Sequence, residues 1–307
     1  MTFPIRRLAA AAMVRALPQR VRLRLAYRLL DQAIRHSDHE AASDIVAHLD
    51  PQLVRLEDKI RKLGTPPGTV PEYVAPPGIP PLQRSIMQAD RPWKGMECPR
   101  FDIPGMISNE EIEYYHWVAR YYSGEHSVVE LGPWLGHSTM HLATALKASL
   151  QRPGKRIHVY DDFVWRPDWM NQHLRPHDPA APKAYDSFEY LFNHYTTPAA
   201  NLLDVHRGKI TDYDGNEHLP VIAWHGGPIE MLIVDCGRTI KANQSWFDLF
   251  SPSFIPNRTL VVMQDWRLHR ERPRKSFNQT LLFTQQNPRL ELVHEITDGG
   301  IATFLFR

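Results

Sequence analysis

The chain has 307 residues, of which 43% are hydrophobic and 10% aromatic, and its formal net charge is +2. This composition supports a hydrophobic core and excludes wholesale disorder. A near-balanced charge is also untypical of proteins dedicated to nucleic-acid binding. With only two cysteines, Cys98 and Cys236, the chain is not a disulfide-rich scaffold, which favours a reducing, cytoplasmic setting.

Residues 1–64 are predicted to form a helical extension whose first 30 residues are rich in arginine. An apolar run at residues 8–14 resembles a signal-peptide core, but Arg15 ends it too early. The basic helices can pack their leucines inward, make a peripheral contact with an anionic membrane surface, or pair two chains in a homodimer. The sequence leaves these three alternatives open.

A proline-rich segment separates this extension from the rest of the chain. Residues 66–81 contain seven prolines and two glycines, a composition that favours extended backbone. We therefore predict a linker or surface strap over residues 65–105 and a C-terminal domain over residues 106–307. Within the strap, Trp93, Met96 and Phe101 can either cover an active-site mouth or pack in the ordinary way.

The C-terminal domain is predicted to alternate strands with helices. It opens with a helix for which Ser108 and Glu111 form a capping box and which Gly124 ends. Five strands follow, at residues 127–131, 156–160, 202–206, 229–234 and 259–263. Helices are predicted at residues 138–150, 187–195, 242–250 and 276–286. Two last strands, 290–296 and 301–306, are joined by the turn signal at residues 298–300.

This alternation predicts an α/β fold, namely a Rossmann-like, seven-stranded, mostly parallel sheet with an antiparallel C-terminal hairpin. Ligands of such sheets bind beyond the carboxyl ends of the strands. Asp161, Asp235 and Asp265 each follow a predicted strand at that edge. We therefore expect these acids to gather around one cleft, together with Glu130 near the end of the first strand.

The turn after the first strand carries a recognisable pattern, Glu130-Leu-Gly-Pro-Trp-Leu-Gly-His-Ser-Thr139. It lacks the closely spaced glycines of a dinucleotide site. It resembles the first motif of class I S-adenosylmethionine-dependent methyltransferases, and most of all the small-molecule O-methyltransferases that include macrolide-sugar and catechol-type enzymes. The acid after the second strand, Asp235, the Gln264-Asp265 pair and the final hairpin extend this resemblance over residues 107–307.

The resemblance implies S-adenosylmethionine as cofactor and a hydroxyl group of a small molecule, such as a glycoside or another secondary metabolite, as methyl acceptor. Gly132 and Gly136 would let the backbone approach the methionine part of the cofactor. Ser138, at the start of a helix, would bind its carboxylate. Glu130 would position this loop or hold the ammonium group through a water.

The same resemblance assigns the rest of the cofactor. The family's ribose-binding acid corresponds to Asp161, or to Asp162 if the second strand ends one residue later. Lys209 falls where the family contacts the adenine. The plain alternative for these residues is a capped loop with solvated acids.

Metal-dependent members of the family carry acids after the fourth and fifth strands, which correspond here to Asp235 and Asp265. Gln264 can add a carbonyl oxygen, and such an all-oxygen set of Asp235, Gln264 and Asp265 suits Mg²⁺. A bound metal would lower the pKa of the acceptor hydroxyl, with Asp235 taking part in catalysis. Arg238 stands where the family often has a further acid, and it can instead pair with Asp235 or with an acidic substrate.

A histidine general base is the alternative to a metal. His269 follows Asp265 by four residues, and His137 lies inside the first motif. The long connection over residues 163–185 is predicted to form an acceptor lid, or else to pack its tryptophans, Trp165 and Trp169, against the N-terminal region.

Two other functions have to be compared with this one. The chain between Val234 and Gly237 does not match the motif of N-methyltransferases that act on nucleic acids and amides. We therefore expect no nucleic-acid partner. A non-catalytic interaction module built on a cofactor-binding fold is the remaining alternative.

Overall fold

A computed structural model describes residues 78–82, 91–150, 156–267 and 278–307. The predictions for the N-terminal extension, for most of the proline-rich segment and for His269 lie outside these residues. Within the described ranges, no helix has the length and apolar character needed to cross a membrane.

Seven strands form one sheet in the order β3-β2-β1-β4-β5-β7-β6. The strands are β1 (Ser127–Leu131), β2 (Ile157–Asp161), β3 (Leu203–Arg207), β4 (Ile229–Val234), β5 (Leu260–Met263), β6 (Leu290–Glu295) and β7 (Ala302–Phe306). The first five are parallel, and β7 runs antiparallel to both β5 and β6. The predicted sheet with its antiparallel C-terminal hairpin is confirmed.

The helices of the described residues are α1 (Asn109–Val118), α2 (His137–Leu150), α3 (Pro167–Met170), α4 (Glu189–Thr196), α5 (Ile240–Phe250) and α6 (Asn278–Gln286). The predicted capping box of α1 is present, with the Ser108 amide 2.6 Å from the Glu111 carboxylate and the Glu111 amide 3.2 Å from the Ser108 hydroxyl. The α-helix ends at Val118, and one 3₁₀ turn then leads towards Gly124. Helix α4 begins two residues later than predicted, because Ser187 forms a β-bridge with Val164.

The described part of the strap packs on the domain. The Trp93 side chain is fully buried and donates its indole N–H to Glu110 at 2.9 Å. Its ring meets that of Tyr114 edge-on, with the centroids 5.0 Å apart. Trp93 therefore fulfils the packing alternative and anchors this segment on α1.

Candidate active site

Four parallel strands end side by side at the carboxyl edge of the sheet. The amide of Asp235 donates to the carbonyl oxygen of Leu131 at 2.8 Å, and the amide of Gly132 donates to that of Tyr160 at 2.9 Å. The end of β5 is tied to the end of β4 in the same way, through the amide of Gln264. The residues that follow β1, β2, β4 and β5 therefore lie along one edge, as the sequence predicts.

Both glycines of the first motif adopt left-handed backbone conformations, with φ of +79° at Gly132 and +88° at Gly136. A Cβ atom on Gly132 would stand 2.5 Å from the carbonyl oxygen of Asp235, and one on Gly136 would stand 2.3 Å from a methyl carbon of Thr196. Glycine is required at both positions because the loop packs closely on the protein's own β4 and α4. The sequence predicts a different reason for these glycines, namely that the backbone approaches a ligand. Close packing within the protein is a second reason.

Glu130 lies beneath the motif loop and is 1% exposed. Its carboxylate accepts hydrogen bonds from the hydroxyls of Ser138 at 2.7 Å and Thr139 at 2.6 Å. Glu130 thus ties β1 to the start of α2 and positions the loop. The Ser138 hydroxyl already donates its hydrogen bond to Glu130. An anionic ligand at this end would therefore be bound by the backbone amides at the start of α2.

Burial raises the pKa of Glu130 to about 7, although the two hydroxyls lower it in part. In the unfolded chain this carboxyl has an ordinary pKa of about 4.3, so between about pH 4 and pH 7 the folded state binds more protons. The free energy of unfolding therefore falls as the pH rises through this window and changes no further above it.

We expect the variant Glu130→Gln to lack this pH dependence. Urea unfolding at about pH 5 and about pH 7.5 should show the variant gaining on the order of 1–3 kcal/mol relative to the wild type at the higher pH. Glu217→Gln, in an exposed residue, serves as the control and should follow the wild type. Parallel pH profiles for wild type and Glu130→Gln would contradict the assignment.

The two acids at the end of β2 have different environments. Asp162 accepts hydrogen bonds from both terminal nitrogens of Arg166, at 3.1 and 2.8 Å, and from the Asn216 amide at 2.8 Å. Asp161 is half-buried and accepts the amide of Phe163 at 2.6 Å. Burial and the neighbouring Asp162 raise the pKa of Asp161. Asp162 therefore anchors the following loop. Asp161 has no ion pair among the described residues and is the better candidate of the two for binding a ligand.

Lys209 is engaged by its own loop. Its ammonium group donates to the Asp212 carboxylate at 2.7 Å and to the carbonyl oxygen of Glu217 at 2.9 Å. The ammonium group therefore stabilises the loop after β3. What this loop presents at the edge of the sheet is its backbone.

Asp235 is the exposed acid at the end of β4. Desolvation by the surrounding protein raises the pKa of Asp235, and the negative charges of Glu111 and Glu130 raise it further. The positive charge of Arg238 offsets part of this increase. Among the described residues, none donates a hydrogen bond to its carboxylate. Asp235 is thus open to solvent and uncommitted to those residues.

Two of the three side chains predicted to bind Mg²⁺ have partners within the protein. Arg238 donates to the Asp265 carboxylate, with its Nε at 2.7 Å, and does not fulfil the predicted pairing with Asp235. Gln264 donates its amide to the hydroxyl of Tyr115. Because the guanidinium group of Arg238 occupies the Asp265 carboxylate, the predicted set of Asp235, Gln264 and Asp265 is not free to hold a divalent metal in this arrangement.

Helix α1 contributes two residues to this edge that the sequence did not predict for it. The fully buried Tyr115 binds Gln264, and Glu111 accepts the Gly300 amide at 2.9 Å while its charge acts on Asp235. The sequence indicates that Glu111 caps the helix and that Tyr115 belongs to its apolar side. No local signal indicates that α1 reaches the loops after β5 and β6.

His137 lies against the strap. Its ring is 5.2 Å from the ring of His141, and a Cβ atom on Gly105 would meet its Nδ1 at 2.2 Å. Burial and the charge of Arg175 lower the pKa of His137. None of its described ring or hydrogen-bond contacts is with Asp161 or Asp235, and its role as a base stays a prediction.

The predicted lid segment, residues 163–185, covers the motif loop. The ring of Trp134 lies 5.4 Å from that of Trp169 and 5.6 Å from that of His173. The buried indole N–H of Trp134 has no hydrogen-bond partner among the described residues. Trp165 instead packs in the core beside Phe188. The segment therefore joins the core at one end and covers Trp134 at the other.

Comparison with known proteins gives structural matches. No protein-family model and no curated protein matches the chain. Cofactor-bound Rv0187 from MTB is 16% identical, over 69% of this chain and 84% of its own, with a TM-score of 0.44. The O-methyltransferase TomG from Streptomyces achromogenes, involved in tomaymycin synthesis and solved with S-adenosylmethionine, is 16% identical over 66% and 81%, with a TM-score of 0.43. An O-methyltransferase from Bacillus cereus, in complex with S-adenosylhomocysteine, is 13% identical over 65% and 82%, with a TM-score of 0.41.

Proposed function

We propose that the chain is an S-adenosylmethionine-dependent O-methyltransferase that acts on a hydroxyl group of a small molecule. One observation carries the proposal. The loop that resembles the class I methyltransferase motif lies between Asp161 and Asp235, at the carboxyl edge of a parallel sheet. Acids on both sides of such a loop suit a ligand that carries positive charge and a diol.

The side chains at this edge fit the parts of S-adenosylmethionine. The amides at the start of α2 can bind its carboxylate. The carboxylate of Asp161 can accept both ribose hydroxyls. The indole N–H of Trp134, buried and without a described partner, can donate to the ligand. The exposed Asp235 complements the positive charge of the ammonium and sulfonium groups.

When bound, S-adenosylmethionine would supply an electrophilic methyl group for in-line displacement by the acceptor oxygen. Asp235 is the group of this edge best suited to take the hydroxyl proton, because it is exposed and uncommitted to described residues and its pKa is raised. Trp169 and His173, lying over Trp134, would exclude water and give the acceptor an aromatic surface.

Two measurements test the proposed function. Calorimetric titration with S-adenosylhomocysteine should give saturable binding to the full chain. Incubation with S-adenosylmethionine labelled in its methyl group and a panel of glycosides and phenols should then transfer label to a hydroxyl oxygen. A full chain that is folded by circular dichroism and binds neither compound would overturn the proposal.

Methyl transfer is proposed to run without a metal at the edge of the sheet, since Asp265 is paired with Arg238. We expect the rate to change by less than about twofold after treatment with EDTA, because no catalytic group is removed. A fall of more than about tenfold that Mg²⁺ restores would reinstate the predicted set of Asp235, Gln264 and Asp265. His269 remains the predicted alternative base.

A further inference from the structure

A second cluster of ligand-type side chains lies on one face of the edge strand β3 and its neighbour β2. Ile157 and Val159 are fully buried on the opposite face of β2. The parallel register pairs His158 with Asp204. It also brings His206, two residues beyond Asp204, onto the same face. All three side chains are half-buried, so solvent reaches them.

The ligand atoms of this cluster are already close to a metal-binding arrangement. They all lie within 4.8 Å of one another. Nδ1 of His158 is 3.3 Å from Nε2 of His206 and 3.7 Å from a carboxylate oxygen of Asp204. A tetrahedral zinc ion with bonds of about 2.0–2.1 Å separates its ligand atoms by about 3.3–3.4 Å. The two imidazole nitrogens already have this separation. To bind one ion, the hydrogen that they share has to move to the other nitrogen of its ring, and Asp204 has to come closer.

Neighbouring rings hold the imidazoles in place. The ring of Tyr160 stacks on that of His206 with the centroids 4.4 Å apart, and Trp224 meets His158 edge-on at 5.0 Å. Such packing restricts the imidazole rings, so they lose less conformational entropy when a metal binds. The contacts with Tyr160 and Trp224 therefore favour one orientation of each imidazole ring without an ion.

The charges around the cluster favour a cation. Burial lowers the pKa of His158 and of His206, although Asp204 raises both in part, and a neutral imidazole is the form that binds metal. Asp204 supplies a negative charge. Arg156 competes for it at 3.8 Å, but its side chain is 49% exposed, and such surface pairs contribute little.

We propose that His158, Asp204 and His206 form a binding site for one divalent transition-metal ion of the zinc type, with a further coordination position open to water. Two imidazoles and one carboxylate suit zinc, whereas Mg²⁺ prefers oxygen ligands. Because the ligands come from both strands, the ion would clamp the edge strand β3 onto β2. The site is independent of the proposed methyl transfer.

Calorimetric titration of the full chain with zinc chloride tests the site. The chain has 16 histidines, so a background of weak binding has to be subtracted. His206→Phe removes a ligand and keeps an aromatic ring on Tyr160. We expect the wild type to bind one equivalent of zinc and this variant to bind it more than about 100-fold more weakly, since even the loss of an indirect partner costs about 10–100-fold.

The matched control is His194→Phe, at an exposed histidine on α4, which should bind zinc like the wild type. Asp204→Asn gives a second test that removes a charge and preserves side-chain shape. Zinc should also raise the Tm of the wild type and of the control more than that of either site variant. Equal zinc affinity in wild type, His206→Phe and Asp204→Asn, or equal Tm shifts, would overturn the proposal.

Discussion

Replacing Asp235 with asparagine is expected to slow methyl transfer by about 10²–10⁴-fold, the range that a positioned general base contributes. The amide has the shape of the carboxylate but cannot accept the hydroxyl proton. Asp235 is exposed at the end of β4, and no described residue donates to it, so the substitution removes no described hydrogen bond of the fold. Because proton acceptance matters mainly in the transition state, the loss should fall on kcat more than on the affinity for S-adenosylhomocysteine.

Single-turnover transfer of labelled methyl groups measures this effect. The control is Asp214→Asn, at an exposed residue of the loop after β3, for which we expect the wild-type rate. A rate for Asp235→Asn within about threefold of the wild type would show that another group takes the proton. His269 would then be the next residue to test.

The two adjacent acids at the end of β2 should give opposite results when each is replaced by asparagine. Asp161→Asn is expected to weaken binding of S-adenosylhomocysteine by about 100-fold, because hydrogen bonds to a charged group contribute about 1.5–3 kcal/mol. It should leave stability unchanged or raised, since the carboxyl it replaces is one whose pKa burial has raised.

Asp162→Asn should instead reduce the free energy of unfolding by about 2–3 kcal/mol, because it weakens the pair with Arg166. The expected loss of stability is smaller than at a fully buried ion pair, because the Arg166 side chain is 22% exposed. Calorimetry and urea unfolding of both variants separate binding from stability. If Asp162→Asn weakened binding of S-adenosylhomocysteine and Asp161→Asn did not, the assignment of the two acids would be reversed.

The strands and their order of appearance could be predicted because their signal is local. Strand β4 begins and ends where its apolar run does, at Ile229 and Val234. The capping box of α1 likewise depends on two residues three positions apart. Such features need no knowledge of distant parts of the chain.

The site was predicted less completely, because its details depend on residues far apart in sequence. The choice between Asp161 and Asp162 is made by Arg166 and by Asn216, which is 54 residues from Asp162. The pairing of Arg238 with Asp265 joins two different loops, and it competes with the predicted metal site. Local patterns placed these acids on one edge but could not tell which partner each would take.

The most direct test of the account is a crystal structure of the chain with S-adenosylhomocysteine. We predict that the ligand lies at the carboxyl edge, with its ribose hydroxyls on Asp161, its carboxylate at the start of α2 and its sulfur facing the side of Asp235. A ligand bound elsewhere, or a ribose held by residues other than Asp161, would contradict the account.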